Sequence, residues 1–260
     1  MTSPNLQDYQ PPTDLLAGKI IAVTGAGDGI GRVAALTCAN HGATVILLGR
    51  TIQKLEKVYD EIESLGCPQA AIYPINFEGA VEKDYDDMAV ALDKEFGKLD
   101  GLLHNAAILG PRTPLTHFNA ESWQSVMQVN ATAPFLMTKA LSPLLEKAPH
   151  ASIIFTGSSV GYEGRAFWGA YAASKAAIEN MMQTLSSELS DTTNIRVNSI
   201  NPGATRTKMR ALAYPGENPN TLKTPEDIMS SYLFLLGDDS VEISGKQIQS
   251  QPKDGQPSIR

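Results

Sequence analysis

Cysteine is scarce in this chain: Cys38 and Cys67 are the only two among 260 residues. Neither has a paired or metal-like spacing, so there is no disulfide framework, and a reducing compartment is the default. Histidine is almost as rare, and His41, His104 and His117 have no second ligand at a suitable distance along the chain, so no metal is expected. Long apolar runs are missing, which removes a membrane span. Residues 1–14 lack the basic start and apolar core of a secretory signal. Positive charge is in deficit: 21 Lys and Arg against 28 Asp and Glu give a net charge of −7. That is the wrong sign for a nucleic-acid surface or an anionic membrane. These absences together predict a cytoplasmic protein.

Short apolar runs recur instead, at residues 19–24, 44–48, 70–75, 99–103, 152–155 and 195–200. They show no polar alternation, as suits parallel strands covered on both faces. Helical patterns lie between them at residues 32–41, 52–64, 81–96, 122–145, 170–189 and 225–236. In the second of these Leu55, Val58, Tyr59 and Ile62 mark the apolar face. Gly42 and Gly66 stop two helices. Pro134 and Pro143 predict a kink or early end in the longest. Thr224 is the expected N-cap of the last, with Pro225 at its first position. Residues 246–249 read as a short edge strand. Strands and helices that alternate through short connections predict an α/β fold, a doubly wound parallel sheet of about seven strands with helices on both faces.

The first strand opens into Thr24-Gly-Ala-Gly-Asp-Gly-Ile-Gly31 and then a helix. Glycines at such a junction let a backbone approach a pyrophosphate, which the helix start then binds. Gly25 and Gly27 fit the common G-x-G-x-x-G fingerprint, but Ile30 takes its third glycine position; the pattern met is T-G-x-x-x-G-x-G, through Gly25, Gly29 and Gly31. A dinucleotide site places an acid at the end of the second strand for a ribose 2′-hydroxyl. Here that end reads Leu48-Gly49-Arg50. Arg50 suits a 2′-phosphate instead, which favours NADPH over NADH. The expectation is one Rossmann-type, dinucleotide-binding catalytic domain over residues 1–260, with 1–14 and 251–260 as loose tails.

Later in the chain Tyr171 and Lys175 stand four apart in a helical pattern, on one face. A phenol beside an ammonium should give up its proton more readily than its ordinary pKa of about 10 allows. Such a tyrosine can serve as a general acid or base. The same spacing arises by chance on many helices, so the pair needs the rest of the chain to give it a task.

In order along the chain, Thr24-Gly-x-x-x-Gly-x-Gly31, Asn105-Ala-Ala107, Asn130, Ser158, Tyr171-x-x-x-Lys175 and Pro202-Gly203-x-x-x-Thr207 resemble the short-chain dehydrogenase/reductase family. The resemblance runs from about residue 15 to residue 249. Gly161, Trp168-Gly-Ala-Tyr171 and Asn201-Pro-Gly-Ala-Thr-Arg-Thr207 look like its YciK-type bacterial oxidoreductases. The family resemblance implies roles. Tyr171 would protonate a carbonyl oxygen as hydride arrives, or take the alcohol proton in reverse. Lys175 would lower the tyrosine pKa and hold the nicotinamide ribose, and Ser158 would fix the substrate oxygen. Asn130 would hold a water that links Lys175 to solvent, or bond the backbone at a helix kink, and both can hold at once. Asn105 and Ala106 would support the adenosine side, with Asn76 near the adenine amine. Pro202, Gly203, Thr205 and Thr207 would line the nicotinamide side, Thr207 at the carboxamide.

Three positions depart from the pattern. Ala107 replaces a glycine, Asn76 replaces an aspartate, and Asp28 stands where many NADP-using members carry a base, so the NADPH preference rests on Arg50 alone. The segment after Thr207 is short and contains Pro215 and Pro219, which predicts at most one helical turn near Met209 and an open cleft for exposed or bulky carbonyls. The leading expectation is an NADPH-dependent ketone or aldehyde reductase, a homodimer or homotetramer built through its long helices. A 3-oxoacyl-thioester reductase is the alternative, with Arg206, Lys208 and Arg210 as a basic patch for an acidic carrier. A dinucleotide sensor without catalysis is a third reading, against which the intact Ser158, Tyr171 and Lys175 stand.

Overall fold

The computed structural model describes residues 6–253, 256, 258 and 259. Seven strands, β1 (Ile20–Thr24), β2 (Thr44–Gly49), β3 (Ala71–Pro74), β4 (Gly101–His104), β5 (Ser152–Thr156), β6 (Arg196–Asn201) and β7 (Gln247–Gln249), form one parallel sheet in the order β3-β2-β1-β4-β5-β6-β7. The order reverses at β1 and β4. Such a switch point opens a crevice at the carboxyl ends of the strands.

Successive side chains of a strand point to opposite faces, and both faces here are apolar. Ile21, Val23, Val45 and Leu47 pack under α1 (Gly29–Asn40), α2 (Ile52–Ser64) and α8 (Met229–Leu236). Ala22, Ile46, Leu48 and Phe155 pack under α3 (Glu82–Phe96), α5 (Ala133–Leu145) and α6 (Gly169–Leu189). Leu55, Val58 and Ile62 are the buried stripe of α2, as their spacing predicts.

The long helix expected over residues 122–145 is three pieces. α4 (Ala120–Met127) passes through a π turn, Gln128–Thr132, into α5. Pro134 has no N–H to continue the ladder, and just ahead of it the helix widens, with the Ala133 N–H donating to Gln128. Thr224 does not cap α8. Its N–H and hydroxyl both donate to Asp227 Oδ2, and a 3-10 turn, Glu226–Ile228, separates it from the helix.

The ends of the described chain are less loose than expected. Ile259 bridges Ile248 antiparallel, the Gln249 N–H donates to Ser258 at 2.7 Å, and Leu6 is buried beside the α8 core. For residues 1–5, 254, 255, 257 and 260 the expectation of looseness lies outside the described residues.

Candidate active site

Between β1 and α1 the chain turns through residues 25–28. Gly25 takes φ +68°, the left-handed region that favours glycine. At Gly31 the constraint is space, because a Cβ would meet the Gly25 carbonyl oxygen and the Asn105 side chain. Gly31 therefore packs the turn on the helix and does not line the cleft, whereas Gly25, Gly27, Asp28, Gly29 and Ile30 do. Thr24 fastens the turn to β4: its hydroxyl accepts from the Asn105 and Ala106 N–H groups at 2.8 and 2.9 Å.

The cleft is a cavity of about 460 Å³ along the carboxyl ends of the strands. Arg50 and Asn76 line one end, Asn105 and Ala106 the middle, and Ser158, Tyr171, Lys175, Pro202, Gly203, Thr205 and Thr207 the other. All the expected site residues meet there except Gly31 and Asn130.

The charges at the first end correct one expectation. Asp28 Oδ1 caps α1 by accepting from the Gly29 N–H at 2.9 Å. Its Oδ2 accepts from Lys54 Nζ at 2.7 Å and from Lys208 Nζ at 2.9 Å. These two ammoniums hold the carboxyl down at about 2. Asp28 is thus matched by two cations, and Arg50 does not stand alone: Lys54 lies four residues on, at the start of α2, and lines the same cavity. The Arg50 guanidinium is largely exposed and only 3.8 Å from a Glu78 oxygen. The bare glycine turn, the amino end of α1 facing the cavity through Gly29 and Ile30, and the cations past β2 fit a dinucleotide bearing a 2′-phosphate.

At the other end, Ser158 follows β5 and Tyr171 and Lys175 lie on the first two turns of α6. Lys175 Nζ donates to the Thr156 carbonyl at 2.7 Å and sits 5.5 Å from the centre of the Tyr171 ring. Burial pushes the Tyr171 phenol up to about 12, while the Ser158 hydroxyl bonded to it pulls the other way. An easily deprotonated phenol was the expectation. In the protein burial dominates, and the ammonium points one donor at Thr156. Burial also brings Lys175 down to about 8, opposed by the charge of Glu179.

Asn130 sits in the π turn, and its amide is spent within the protein. Oδ1 accepts from the Ile108 N–H at 2.8 Å, and Nδ2 donates to the Ile108 carbonyl at 2.9 Å and to Ser174 Oγ at 3.0 Å. It ties the loop after β4 to α6, which is the backbone-bonding role. His104 is structural, as expected: it stacks on Phe155, contacts Thr138 Oγ1 at 2.8 Å, and burial brings it down to about 3. Among the described residues no group of three or more His, Cys, Asp or Glu is arranged to hold a metal ion.

The segment after Thr207 is more ordered than its prolines predict. Thr207 Oγ1 accepts from the Arg210 N–H at 3.1 Å and caps α7 (Lys208–Ala213), and a 3-10 turn follows at Pro219–Thr221. Leu109, Trp168, Met209 and Ala213 all line the cavity, so the wall beside Tyr171 is largely apolar. Trp168 lies 5.5 Å from Tyr171 and 5.9 Å from Tyr214, ring centre to ring centre, and the Arg112 guanidinium stacks on it at 4.1 Å. The basic patch proposed for a carrier is already engaged. Arg206 Nε donates to the Pro219 carbonyl at 2.8 Å, Lys208 binds Asp28, and Arg210 makes two bonds of 2.6 Å to Glu217.

Four participants escaped the sequence reading. Glu179 is four residues from Lys175 on one helix, so helical spacing was the available signal there. Lys54 lies in the first turn of α2 and Arg50 in the turn before it, which gives no such signal. Arg112 and Tyr214 gave none, because they meet across loops far apart in the chain.

A family model described as short chain dehydrogenase matches residues 19–218. An uncharacterized oxidoreductase, YciK of Escherichia coli K12, is 50% identical over 244 residues, covering 94% of this chain and 96% of its own. A putative short chain dehydrogenase from Pseudomonas syringae has a solved structure that superposes with a TM-score of 0.92 at 54% identity, over 94% of this chain and 99% of that one. Another, from Escherichia coli CFT073 and complexed with NADPH, gives a TM-score of 0.91 at 50% identity over 93% and 100%. Likeness of this extent, across sheet, glycine turn and Ser-Tyr-Lys corner together, leaves one reading: the chain belongs to the short-chain dehydrogenase family, an NAD(P)-dependent oxidoreductase of the YciK type.

Proposed function

We propose that the protein is an NADPH-dependent reductase of ketone or aldehyde carbonyls, working reversibly, with Tyr171 as the proton donor. The observation that carries this is the geometry at Tyr171: the phenol is buried, lines the cavity together with Ser158, and lies with its ring 5.5 Å from the Lys175 ammonium, while burial raises its pKa. A phenol that keeps its proton is equipped to give it to an oxygen gaining negative charge.

A bound NADPH would supply the hydride, two electrons for the carbonyl carbon. Gly25, Gly27, Asp28, Gly29 and Ile30 would hold its diphosphate side, Arg50 and Lys54 the 2′-phosphate, Asn76, Asn105 and Ala106 the adenosine, and Pro202, Gly203, Thr205 and Thr207 the nicotinamide side. The Ser158 and Tyr171 hydroxyls fix the carbonyl oxygen as donors. As that oxygen becomes an alkoxide, the Tyr171 proton passes to it and the alcohol is complete. The Lys175 charge then stabilises the tyrosinate until solvent returns a proton. Leu109, Trp168, Met209 and Ala213 favour substrates with an apolar body next to the carbonyl.

We place the protein in the cytoplasm, as a homodimer or homotetramer assembled through α4–α5 and α6; Phe135 of α5, half exposed, supports that face. The test is NADPH and NADH binding by fluorescence, then a panel of apolar ketones and aldehydes with wild type and Tyr171→Phe. Turnover that Tyr171→Phe abolishes while NADPH still binds is expected. Binding without turnover of any carbonyl would favour the sensor reading, and tighter NADH binding would remove the role given to Arg50.

A further inference from the structure

Glu179 lies one turn beyond Lys175 on α6 and is 4% exposed. A buried carboxylate is costly unless its charge is paired and its lone pairs are used. The lone pairs are used, and the charge acts on Lys175, one turn back on α6, at longer range than a direct ion pair. Oε2 accepts from Ser199 Oγ at 2.7 Å and from Gln247 Nε2 at 3.1 Å, and Oε1 accepts from the Tyr162 hydroxyl at 3.0 Å. These come from β6, from β7 and from the turn after Ser158, and each is a donor. Burial lifts Glu179 above the usual carboxylate range, but the three donors and the Lys175 charge favour its ionised form. Tyr162 is itself pushed up by burial and by Glu179, so it remains a donor. Room for the carboxylate comes from Gly157, where a Cβ would collide with Oε1.

The other groups around Lys175 are neutral. Thr156 offers a carbonyl, Tyr171 keeps its proton, and Glu179 is the charge that acts on the ammonium. An ammonium buried without a counter-charge is driven toward the neutral amine, which cannot stabilise a tyrosinate. We propose that Glu179 is a positioning residue, whose buried carboxylate, fixed by Ser199, Gln247 and Tyr162, holds Lys175 in its charged form beside Tyr171. This rests on the reading of Lys175 as the catalytic ammonium.

The first measurement needs no turnover. In the protein without NADPH, the pH dependence of Lys175 modification by acetic anhydride, followed by peptide mass spectrometry, gives its midpoint in wild type and in Glu179→Gln. The midpoint is expected to fall by about one unit or more on loss of an opposite charge. The second is kcat/KM for a carbonyl of the panel at pH 6 and pH 8. With Lys175 at about 8 in wild type, a fall of one unit leaves the two proteins nearly equal at pH 6 and separates them about fivefold at pH 8. Ser199→Ala provides a milder variant: with one donor gone the Glu179 carboxylate is less firmly held in its ionised form, and the Lys175 midpoint should fall by less than in Glu179→Gln. An unchanged midpoint, or a loss of rate equal at both pH values, would overturn the proposal and leave Glu179 a packing residue. If the midpoint falls and no carbonyl is turned over, Glu179 holds the Lys175 charge and the reductase reading fails by itself.

Discussion

Asp28 of the glycine turn and Lys208 at the start of the lid helix, 180 residues apart in the chain, are joined by a 2.9 Å bond across the mouth of the cleft. Lys54 binds the same oxygen. Two cations at the 2′-phosphate end are thus partly occupied by a carboxylate. Asp28→Asn keeps an N-cap for α1 and releases both. NADPH affinity should rise by about two- to fivefold, the scale of exposed charge pairs, and NADH affinity should stay level. Titration by cofactor fluorescence at low and high salt measures this, and the gain should shrink as salt is added. Since Asp28 is held down at about 2, the effect should be the same from pH 6 to pH 9.

Lys175 leaves a mark on stability that can be read apart from activity. Its ordinary value of 10.5 is lowered to about 8 by burial. Between those values the unfolded chain carries a proton on Lys175 that the folded chain lacks, so unfolding takes up a proton and stability rises with pH. Below about pH 8 both states are charged, and the buried ammonium is a net cost to the fold. Lys175→Met removes this dependence. Denaturant unfolding should show wild type gaining on the variant between about pH 8 and 10.5, by up to about 3 kcal/mol at about 1.36 kcal/mol per unit. A flat difference across that window would mean that Lys175 titrates normally in the folded protein.

Much of the architecture was legible in the sequence because the strands announce themselves twice, once by unbroken apolar runs and once by the glycines that end them. Gly25 and Gly31 are forced by backbone angle and by space, so the pattern they make is specific. Element ends were less so: the π turn at Asn130 depends on how the helix answers Pro134, and Thr224 spends its donors on Asp227 and leaves α8 uncapped. The expected residues other than Gly31 and Asn130 line one cavity, as their order along the chain suggests, whereas the electrostatics of that cavity could not be read there. Proximity to Lys175 predicts an acidic Tyr171, yet burial, which no spacing reveals, decides the direction. The same holds for Asp28, which looks hostile to a phosphate until Lys54 and Lys208 are seen to bind it.

Arg112 pins the lid. Its guanidinium stacks on Trp168 at 4.1 Å and approaches Tyr214 at 5.6 Å, and Nη1 donates to the Ala213 carbonyl at 3.3 Å. Arg210 covers Tyr214 at 3.9 Å. The loop after β4, the turn before α6 and the lid meet in this stack. Arg112→Met keeps the apolar length and removes the charge and the bond. Cation–π contacts of this kind are worth about 0.5–2 kcal/mol, so KM for an apolar carbonyl should rise by about two- to thirtyfold with kcat less affected. Limited proteolysis should cut faster near Pro215 and Gly216 in the variant. A fall in kcat at constant KM would mean that the stack serves Tyr171 and leaves the lid untouched.

Phe167 takes φ +69°, alone among the described non-glycine residues in having a positive φ, and its side chain is half exposed. The left-handed region costs an L-residue roughly 1–2 kcal/mol. Little burial offsets this at Phe167, and the turn it makes delivers Trp168 to the pocket and Gly169 to the start of α6. Phe167→Gly should relieve the strain and raise stability by about 1 kcal/mol, less the larger entropy that glycine gives the unfolded chain. Phe167→Ala separates the two contributions: it keeps the strain, loses the ring, and should not stabilise. Thermal unfolding of both variants, with carbonyl reduction measured alongside, tells whether the strained turn serves position or only connects. Stabilisation with unchanged KM would show that Trp168 is held by Arg112 and Tyr214; stabilisation with a raised KM would show that the strain aims it.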